Sequence, residues 1–464
     1  MKKRTLQFLI TILFLFIIQG FWLSAEGKVT DSLTQRDFSE RGNRNIISVR
    51  DTVIPSREKL LAKDSLLLDS ILHASRNAAK EKYVRFIAEG KIPIGFIDIN
   101  YNNLFNYNLF EGFKIGIGAE TNRLLSKYAS LGGYLTYGLS DRGVRHGSWL
   151  NIYPKGYYDF RIYFGYRDIN MEYGESEFLE KKFLLNPESY RSLLIKNMFS
   201  TQRYTVGLEC RPVDELNAYL FSDLSDNSSR PISIFLTQHA FPLTRLARLG
   251  LQLRYSPGIE LERDPDMLIE KSIPKSDWFL TTIRGVNLLG GEYSYTKIEF
   301  KGRYKFNFTE GSNTRIILRS GFISDNAPLI ELFNGYGSYA SAVSFIAPFS
   351  FNTMRQNEFA ATQYAAVHLR HEFGHNFYSS SQKFKPVFVL SQNMGIGSLD
   401  SSTSTRYQMD DFRKGYYESG FEINNLLRMD FLSWGVGIYY RYGPYRLPAP
   451  GDNFAYKFGF YINL

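Results

Sequence analysis

The stretch Phe454-Ala455-Tyr456-Lys457-Phe458-Gly459-Phe460-Tyr461-Ile462-Asn463-Leu464 carries an apolar side chain at every second position, with Ala455, Lys457, Gly459, Tyr461 and Asn463 between. Consecutive side chains of an extended strand point to opposite faces, so this period of two predicts a strand with one greasy face and one small or polar face. The preceding segment repeats the pattern: Leu432, Trp434, Val436, Ile438, Tyr440 and Tyr442 fall on one side, Ser433, Gly435, Gly437 and Arg441 on the other. A face this aromatic and this long does not suit water, and it predicts contact with lipid.

The same alternation recurs upstream. Phe113, Ile115 and Ile117 alternate with Lys114, Gly116 and Gly118; Leu249, Leu251, Leu253 and Tyr255 alternate with Arg248, Gly250, Gln252 and Arg254. Ile298, Phe300, Tyr304, Phe306 and Phe308 likewise oppose Lys297, Glu299, Lys301, Arg303 and Lys305. Unpaired backbone N–H and C=O groups cost several kcal/mol each in hydrocarbon, which requires the strands to close on one another. The expectation is therefore an all-β, transmembrane antiparallel β-barrel over residues 90–464, with about 16 strands. Ser222 to Ser228 and Gly395 to Thr405 read as turns, and residues 174–200 and 258–276 as extracellular loops, the first with a short helix from Pro187 to Asn197. The 32 tyrosines and 4 tryptophans suit the aromatic girdles of a membrane interface.

Composition agrees. The 464 residues are 44% hydrophobic and 16% aromatic, yet mean hydropathy is only −0.25. A helical membrane protein would need runs of about 20 apolar residues, and none follows the N-terminus. The formal charge of +9 becomes +6 without Lys2, Lys3 and Arg4. The cations are scattered at alternate strand positions rather than clustered, which speaks against nucleic acid.

Lys2, Lys3 and Arg4, the apolar run from Phe8 to Ile18 and Leu23-Ser24-Ala25 before Glu26 predict a signal peptide over residues 1–25, with an uncleaved N-terminal anchor as the alternative. Residues 26–56 are polar and aperiodic and read as a flexible periplasmic segment. Over residues 57–80, Leu60, Leu67, Ile71, Ala74 and Ala78 recur at helical spacing, flanked by Leu61, Leu68 and Leu72. That spacing predicts one amphipathic helix, which would plug the barrel, cap its mouth, bind a periplasmic or outer-membrane protein, or tether the chain. The single cysteine, Cys210, shares an apolar strand face with Tyr204, Val206 and Leu208 and reads as a small hydrophobe.

One motif competes with this reading. His371-Glu372-Phe373-Gly374-His375 matches the H-E-x-x-H of zinc metalloproteases, which on a helix sets two imidazoles on one face to hold zinc, with the glutamate as general base. On a strand the two histidines would lie about 13 Å apart, too far to share a metal. Ala361, Ala365, Val367, Leu369, His371 and Phe373 alternate with Thr362, Tyr364, His368, Arg370 and Glu372, which is strand periodicity. Gly374 weakens a helix, although the alanine-rich Glu358 to Ala366 leaves one open. No catalytic, cofactor-binding or metal residue is assigned, and no cofactor is expected. Arg248, Arg254, Lys301, Arg303, Arg315 and Arg319 fall on the lumenal face, where they either favour anionic solutes or pair with lumenal acids such as Glu299.

Asn108-Leu109-Phe110-Glu111-Gly112, followed by Gly116, Gly118, Thr121 and Asn122, resembles the N-x-x-E-G…G-x-x-T-N opening strand pair of a large uncharacterised family of outer-membrane barrels. Tyr137-Gly138 with Asp141, Phe351-Asn352-Thr353-Met354 with Glu358-Phe359, and Gly415-Tyr416-Tyr417-Glu418 with Ile423-Asn424-Asn425-Leu426-Leu427 fit it in order. Members of that family usually stand behind a carboxypeptidase-regulatory-like domain and look like distant relatives of BamA/TamA barrels. Residues 26 to 90 are too few for that domain. The resemblance implies a barrel in the cell outer membrane with outer-membrane lipid as its surroundings, a non-enzymatic transport, scaffolding or envelope-assembly role, or a BamA/TamA-like part in protein insertion or export. The glycines and Asn122 also have a local reading, as bends, close approaches and a turn start.

Overall fold

The computed structural model describes residues 90–154, 159–180, 187–229, 243–264, 267–270, 274–309, 311–324, 326–374, 384–428 and 432–462. All belong to the second of two units, Met1–Ser75 and Arg76–Leu464. The segments 1–25, 26–56 and 57–80 lie outside the described residues, as does His375.

The strands, in chain order, are β1 (Lys91–Ile94), β2 (Ile97–Asn100), β3 (Phe105–Asn108), β4 (Gly112–Thr121), β5 (Ala129–Gly138), β6 (Val144–Ile152), β7 (Phe160–Glu172) and β8 (Met198–Val213). There follow β9 (Leu216–Ser229), β10 (Thr244–Tyr255), β11 (Leu261–Asp264), β12 (Met267–Glu270), β13 (Ser276–Val286), β14 (Tyr295–Thr309), β15 (Ser312–Ile323), β16 (Gly337–Tyr339), β17 (Val343–Phe345) and β18 (Phe351–Arg355). The last are β19 (Gln363–Phe373), β20 (Val387–Ser398), β21 (Tyr416–Arg428), β22 (Leu432–Tyr442) and β23 (Phe454–Ile462), with one short helix, α1 (Ser401–Tyr407), between β20 and β21.

Nineteen of these strands form one sheet. β2 and β3 are halves of a single wall strand: both pair with the same edge of β4, and the turn Tyr101–Asn103 bulges between them. From β4 each wall strand pairs antiparallel with the next through β10, then β13, β14, β15, β19, β20, β21, β22 and β23. With β1 and β17 set aside as short edge additions and β2 and β3 taken as one, sixteen wall positions remain among the described residues.

The faces fall as alternation dictates. On β23, Tyr456 and Phe458 are exposed while Ala455 and Lys457 are buried; on β10, Leu249 and Tyr255 face out while Arg248, Gln252 and Arg254 are buried. The outer face carries aromatics toward both ends. Tyr417, Tyr440, Tyr442 and Phe454 stack at one end; Tyr304, Phe306, Phe308, His371 and Phe373 gather near the other. Two aromatic bands flanking an aliphatic belt are the pattern of a bilayer-spanning barrel.

The sheet curls into a ring. The 3-10 helix Pro187–Leu194 reaches β7 through Arg191 and Glu172, β14 through Glu188 and Lys301, and β23 through the stack of Tyr190 on Phe460. Just beyond it, Ile195 accepts a hydrogen bond from Phe110, next to β3. One short helix touches walls this far apart in the ladder only because the sheet surrounds it. The first and last wall strands are not joined by a ladder among the described residues. The free edge of β23 is taken instead by β17, in parallel, with Val343, Ser344 and Phe345 opposite Tyr456, Lys457 and Phe458.

Three expectations need correction. Ser222 to Ser228 is not a turn but the upper half of β9. There the strand rises past the apolar belt, so Asp223, Ser225 and Asn227 face the lumen while the outward side also becomes polar. Gly395 to Ser398 completes β20, and only the residues after it turn, with Asp400 capping α1. Finally, 174–200 and 258–276 lie at opposite ends. Antiparallel strands reverse direction at each step, and three strands, β8, β9 and β10, separate the two connections. The second carries the β11–β12 hairpin, whose Arg263 pairs with Asp159 and Asp214 of neighbouring short turns. The end holding the first is the loop end, where the long connection 324–362 also lies.

Candidate functional site

The described parts of the connections 173–197 and 324–362 enter the lumen. From residues 173–197 come Ser176, Glu177, Phe178, Glu180 and Glu188, and from 324–362 comes Glu331. They meet cations on the wall. Arg248 is the hub: it bonds Asp223 at 2.7 Å and Glu331 at 2.8 Å, with Glu177 at 3.6 Å. Glu177 also pairs with Arg203 at 2.7 Å, and its carbonyl accepts from the Gln252 amide and the Thr281 hydroxyl. Lys297 sits between Glu331 at 3.2 Å and Glu299 at 3.6 Å, and Ser176 donates to Glu299 at 2.7 Å. Deeper, Glu180 meets Lys301 at 2.9 Å, and Glu188 meets Lys301 at 3.3 Å and Arg303 at 3.4 Å.

Burial alone would raise the loop carboxyls, but their cations outweigh it. Lys301 and Arg303 hold Glu180 down to about 2, and the same pair lowers Glu188. Arg203 and Arg248 lower Glu177, and Lys297 and Arg248 lower Glu331, each against the same desolvation. Removing one partner from a buried pair of this kind costs about 3–5 kcal/mol, because the other charge is left uncompensated.

Toward the loop end the plug is held by neutral donors as well. Glu418 on β21 is fully buried; it accepts from the Asn352 amide at 3.0 Å, the Thr353 amide at 2.6 Å, the Thr353 hydroxyl at 2.6 Å and Asn393 Nδ2 at 2.7 Å. Arg191 pairs with Glu172 and donates to the Gly337 carbonyl at 3.1 Å; Asn334 and Gln356 also donate to Glu172, at 2.8 and 3.1 Å. Glycines make room for the plug. A Cβ at Gly437 or Gly459 would stand 3.2 Å from Ile346 Cδ1, so the small residues on the polar face of β22 and β23 form the seat of that side chain. Burying it stabilises the contact by about 1.5–3 kcal/mol. Around these anchors lies a hydrophobic core inside the barrel, built from Tyr173, Tyr295, Phe333, Phe351, Met354, Phe359, Phe412 and Tyr416.

The structure separates the zinc-like motif. His371 and Glu372 are on β19 and point to opposite faces: His371 Nδ1 meets Thr314 Oγ1 at 2.7 Å among outward aromatics, whereas Glu372 pairs inside with Arg315 at 3.0 Å. Gly374, just past the strand, has φ +74°, so no helical turn continues there. Glu372 is therefore not placed as the base of a metal held by His371. Of the lumenal cations, Arg315 pairs with a wall acid, and Arg254 with Asp277 at 3.3 Å and with Glu270 of β12 at 2.7 Å. Arg248 and Arg303 pair with loop acids as well as wall acids, and Lys301 with the loop acids Glu180 and Glu188, which the periodicity did not predict. Asn108 caps the β3–β4 hairpin by accepting from the Phe110 and Glu111 amides, Gly112 has φ +69°, and Asn122 accepts from Leu124 as its turn begins. These positions are structural. Asn352-Thr353 and Glu418 belong to separate stretches of the sequence, and nothing in either stretch signals that the two meet.

No protein-family model matches the chain, and no curated protein matches it. Solved structures do. BamA from Haemophilus ducreyi lacking POTRA domains 1-3 is 11% identical over 76% of this chain and 68% of its own, with a TM-score of 0.48. CdiB from Escherichia coli is 10% identical over 79% of this chain, TM-score 0.43, and CdiB from Acinetobacter baumannii 10% identical over 75%, TM-score 0.41. The chain spans 62% and 56% of those two proteins.

Proposed function

We propose that this chain is a plugged outer-membrane β-barrel with a non-enzymatic scaffolding or assembly role in the envelope, not a diffusion pore. The observation that carries the reading is the stitching of two loop-end connections into the lumen by Glu177, Glu180, Glu188 and Glu331 against buried wall cations. An open porin keeps a water-filled channel; ion pairs spanning the interior oppose one. The loop end would face outward and the short turns the periplasm, as in barrels of this class. Purified chain fused into a planar bilayer at neutral pH is expected to pass no current. Stable single-channel steps would overturn the proposal.

The unzipped edge favours a second reading, insertion or export of other polypeptides. A strand whose edge is held over only three residues offers backbone donors and acceptors to an incoming strand. A photo-reactive residue at Tyr456 that captures nascent outer-membrane chains in cells would support this, and capture of none would remove it. The segment 57–80 is the proposed contact for periplasmic proteins, to be tested by pull-down with and without it.

A further inference from the structure

Lys301 on β14 and Arg319 on β15 are direct cross-strand partners, and Lys305 faces Arg315 four residues further along the same pair. Like charges placed opposite each other destabilise a β pair. Arg303 adds another cation on the same lumenal face, two residues from Lys301. Positions that break a local pairing rule in this way are where a fold serves a ligand. Here the carboxylates that offset the repulsion come largely from the connection, as Glu180 and Glu188, with Asp277 of the wall holding one side of Arg303 at 2.7 Å.

Arg319 is left over. It is 4% exposed and lies over the Tyr336 ring at 3.8 Å. Its Nε is buried without a hydrogen-bond partner, and among the described residues no carboxylate lies within ion-pair distance of its guanidinium. It is still within electrostatic reach of Glu180 and Glu188, whose carboxyls it helps to hold ionised. The floor is Phe279, with Lys301 at 5.7 Å and Arg303 at 4.9 Å from its ring centre, and Phe178 of the connection packs on it at 6.0 Å.

We propose that Lys301, Arg303 and Arg319 form a binding site for a multivalent oxyanion, a phosphate-, sulfate- or polycarboxylate-bearing solute, and that Glu180 and Glu188 are its resident occupants. A divalent oxyanion carries the charge of both glutamates in one group and offers acceptor oxygens to the unused Arg319 Nε as well as to the Lys301 ammonium. Anion and loop carboxylates exclude each other, so the site opens to solute as the carboxylates leave. The inference rests on β13 to β15 and not on the barrel's role in the envelope.

The test is equilibrium dialysis of radiolabelled sulfate against the full chain in detergent, in sodium chloride of fixed ionic strength, with unheated gel mobility confirming a folded barrel. E180Q/E188Q is expected to bind close to one sulfate per chain saturably, and wild type at least tenfold less. Adding R319Q or K301Q to that background should abolish binding. Should E180Q/E188Q not fold, E188Q alone carries the same expectation at weaker affinity. No saturable binding in the folded variant, equal binding in wild type, or binding that survives loss of Arg319 and Lys301 would each overturn the site.

Discussion

Replacing Glu418 with glutamine changes a single acceptor oxygen into a donor, in a place where every neighbour is already a donor. The carboxylate receives Asn352 N–H and Asn393 Nδ2 on one oxygen, Thr353 N–H and Thr353 Oγ1 on the other. The Thr353 hydroxyl can turn to the Tyr416 hydroxyl at 2.9 Å, but an amide N–H has no such freedom. Whichever way the new amide points, at least one buried backbone N–H loses its acceptor, at about 1–3 kcal/mol, and the remaining bonds lose their charge assistance. The combined cost is about 2–5 kcal/mol, or roughly 1.5 to 3.5 decades in the opening equilibrium of the segment. Hydrogen exchange of peptides covering residues 347–358 reads this directly, because other anchors keep the barrel itself folded. E418Q should accelerate exchange there by that factor and leave β4 to β8 unchanged; E418A should accelerate it further. Exchange within about threefold of wild type in a folded E418Q barrel would show that the plug is not held at this point, since the smallest cost above corresponds to tens-fold.

Acid should release the connection 173–197. Glu177, Glu180 and Glu188 have folded values below the ordinary 4.5, so their contribution is fully present above that value and lost as pH falls through the folded values, near 2 for Glu180. Protease sensitivity of this segment is expected to be flat from pH 8 to 5 and to rise below 4; a rise already at pH 6 would refute the assignment. His371→Ala should lose one hydrogen bond to Thr314, about 0.5–1.5 kcal/mol, and no bound metal. Stoichiometric zinc in the wild-type chain that disappears in this variant would restore the metal reading.

Much of the wall was legible because lipid outside and polar groups inside impose a strict alternation, and Leu249 to Tyr255 or Ile298 to Phe308 cannot satisfy it in any other register. The polar top of β9 was not, since a strand beyond the bilayer loses the outward apolar signal and keeps only Ser, Asp and Asn, which read as a turn. The plug was also hidden. Its anchors Glu331, Asn352 and Ile346 lie in or beside elements too short to show a period, a three-residue 3-10 helix and the five-residue β18, and their partners Arg248, Glu418 and the glycines at 437 and 459 lie far away in the chain. One signal was available: Phe349, Phe351, Met354 and Phe359 are too apolar for a connection bathed in water.

The pairing of Val343 to Phe345 with Tyr456 to Phe458 has a bearing on the order of events in folding. The strand that holds this segment, β23, comes well after it in the chain, so the plug has no edge to settle on until that later strand is in place. Cutting the chain just before Phe454 would therefore do more than remove a stave: it would leave the middle of the molecule without its latch.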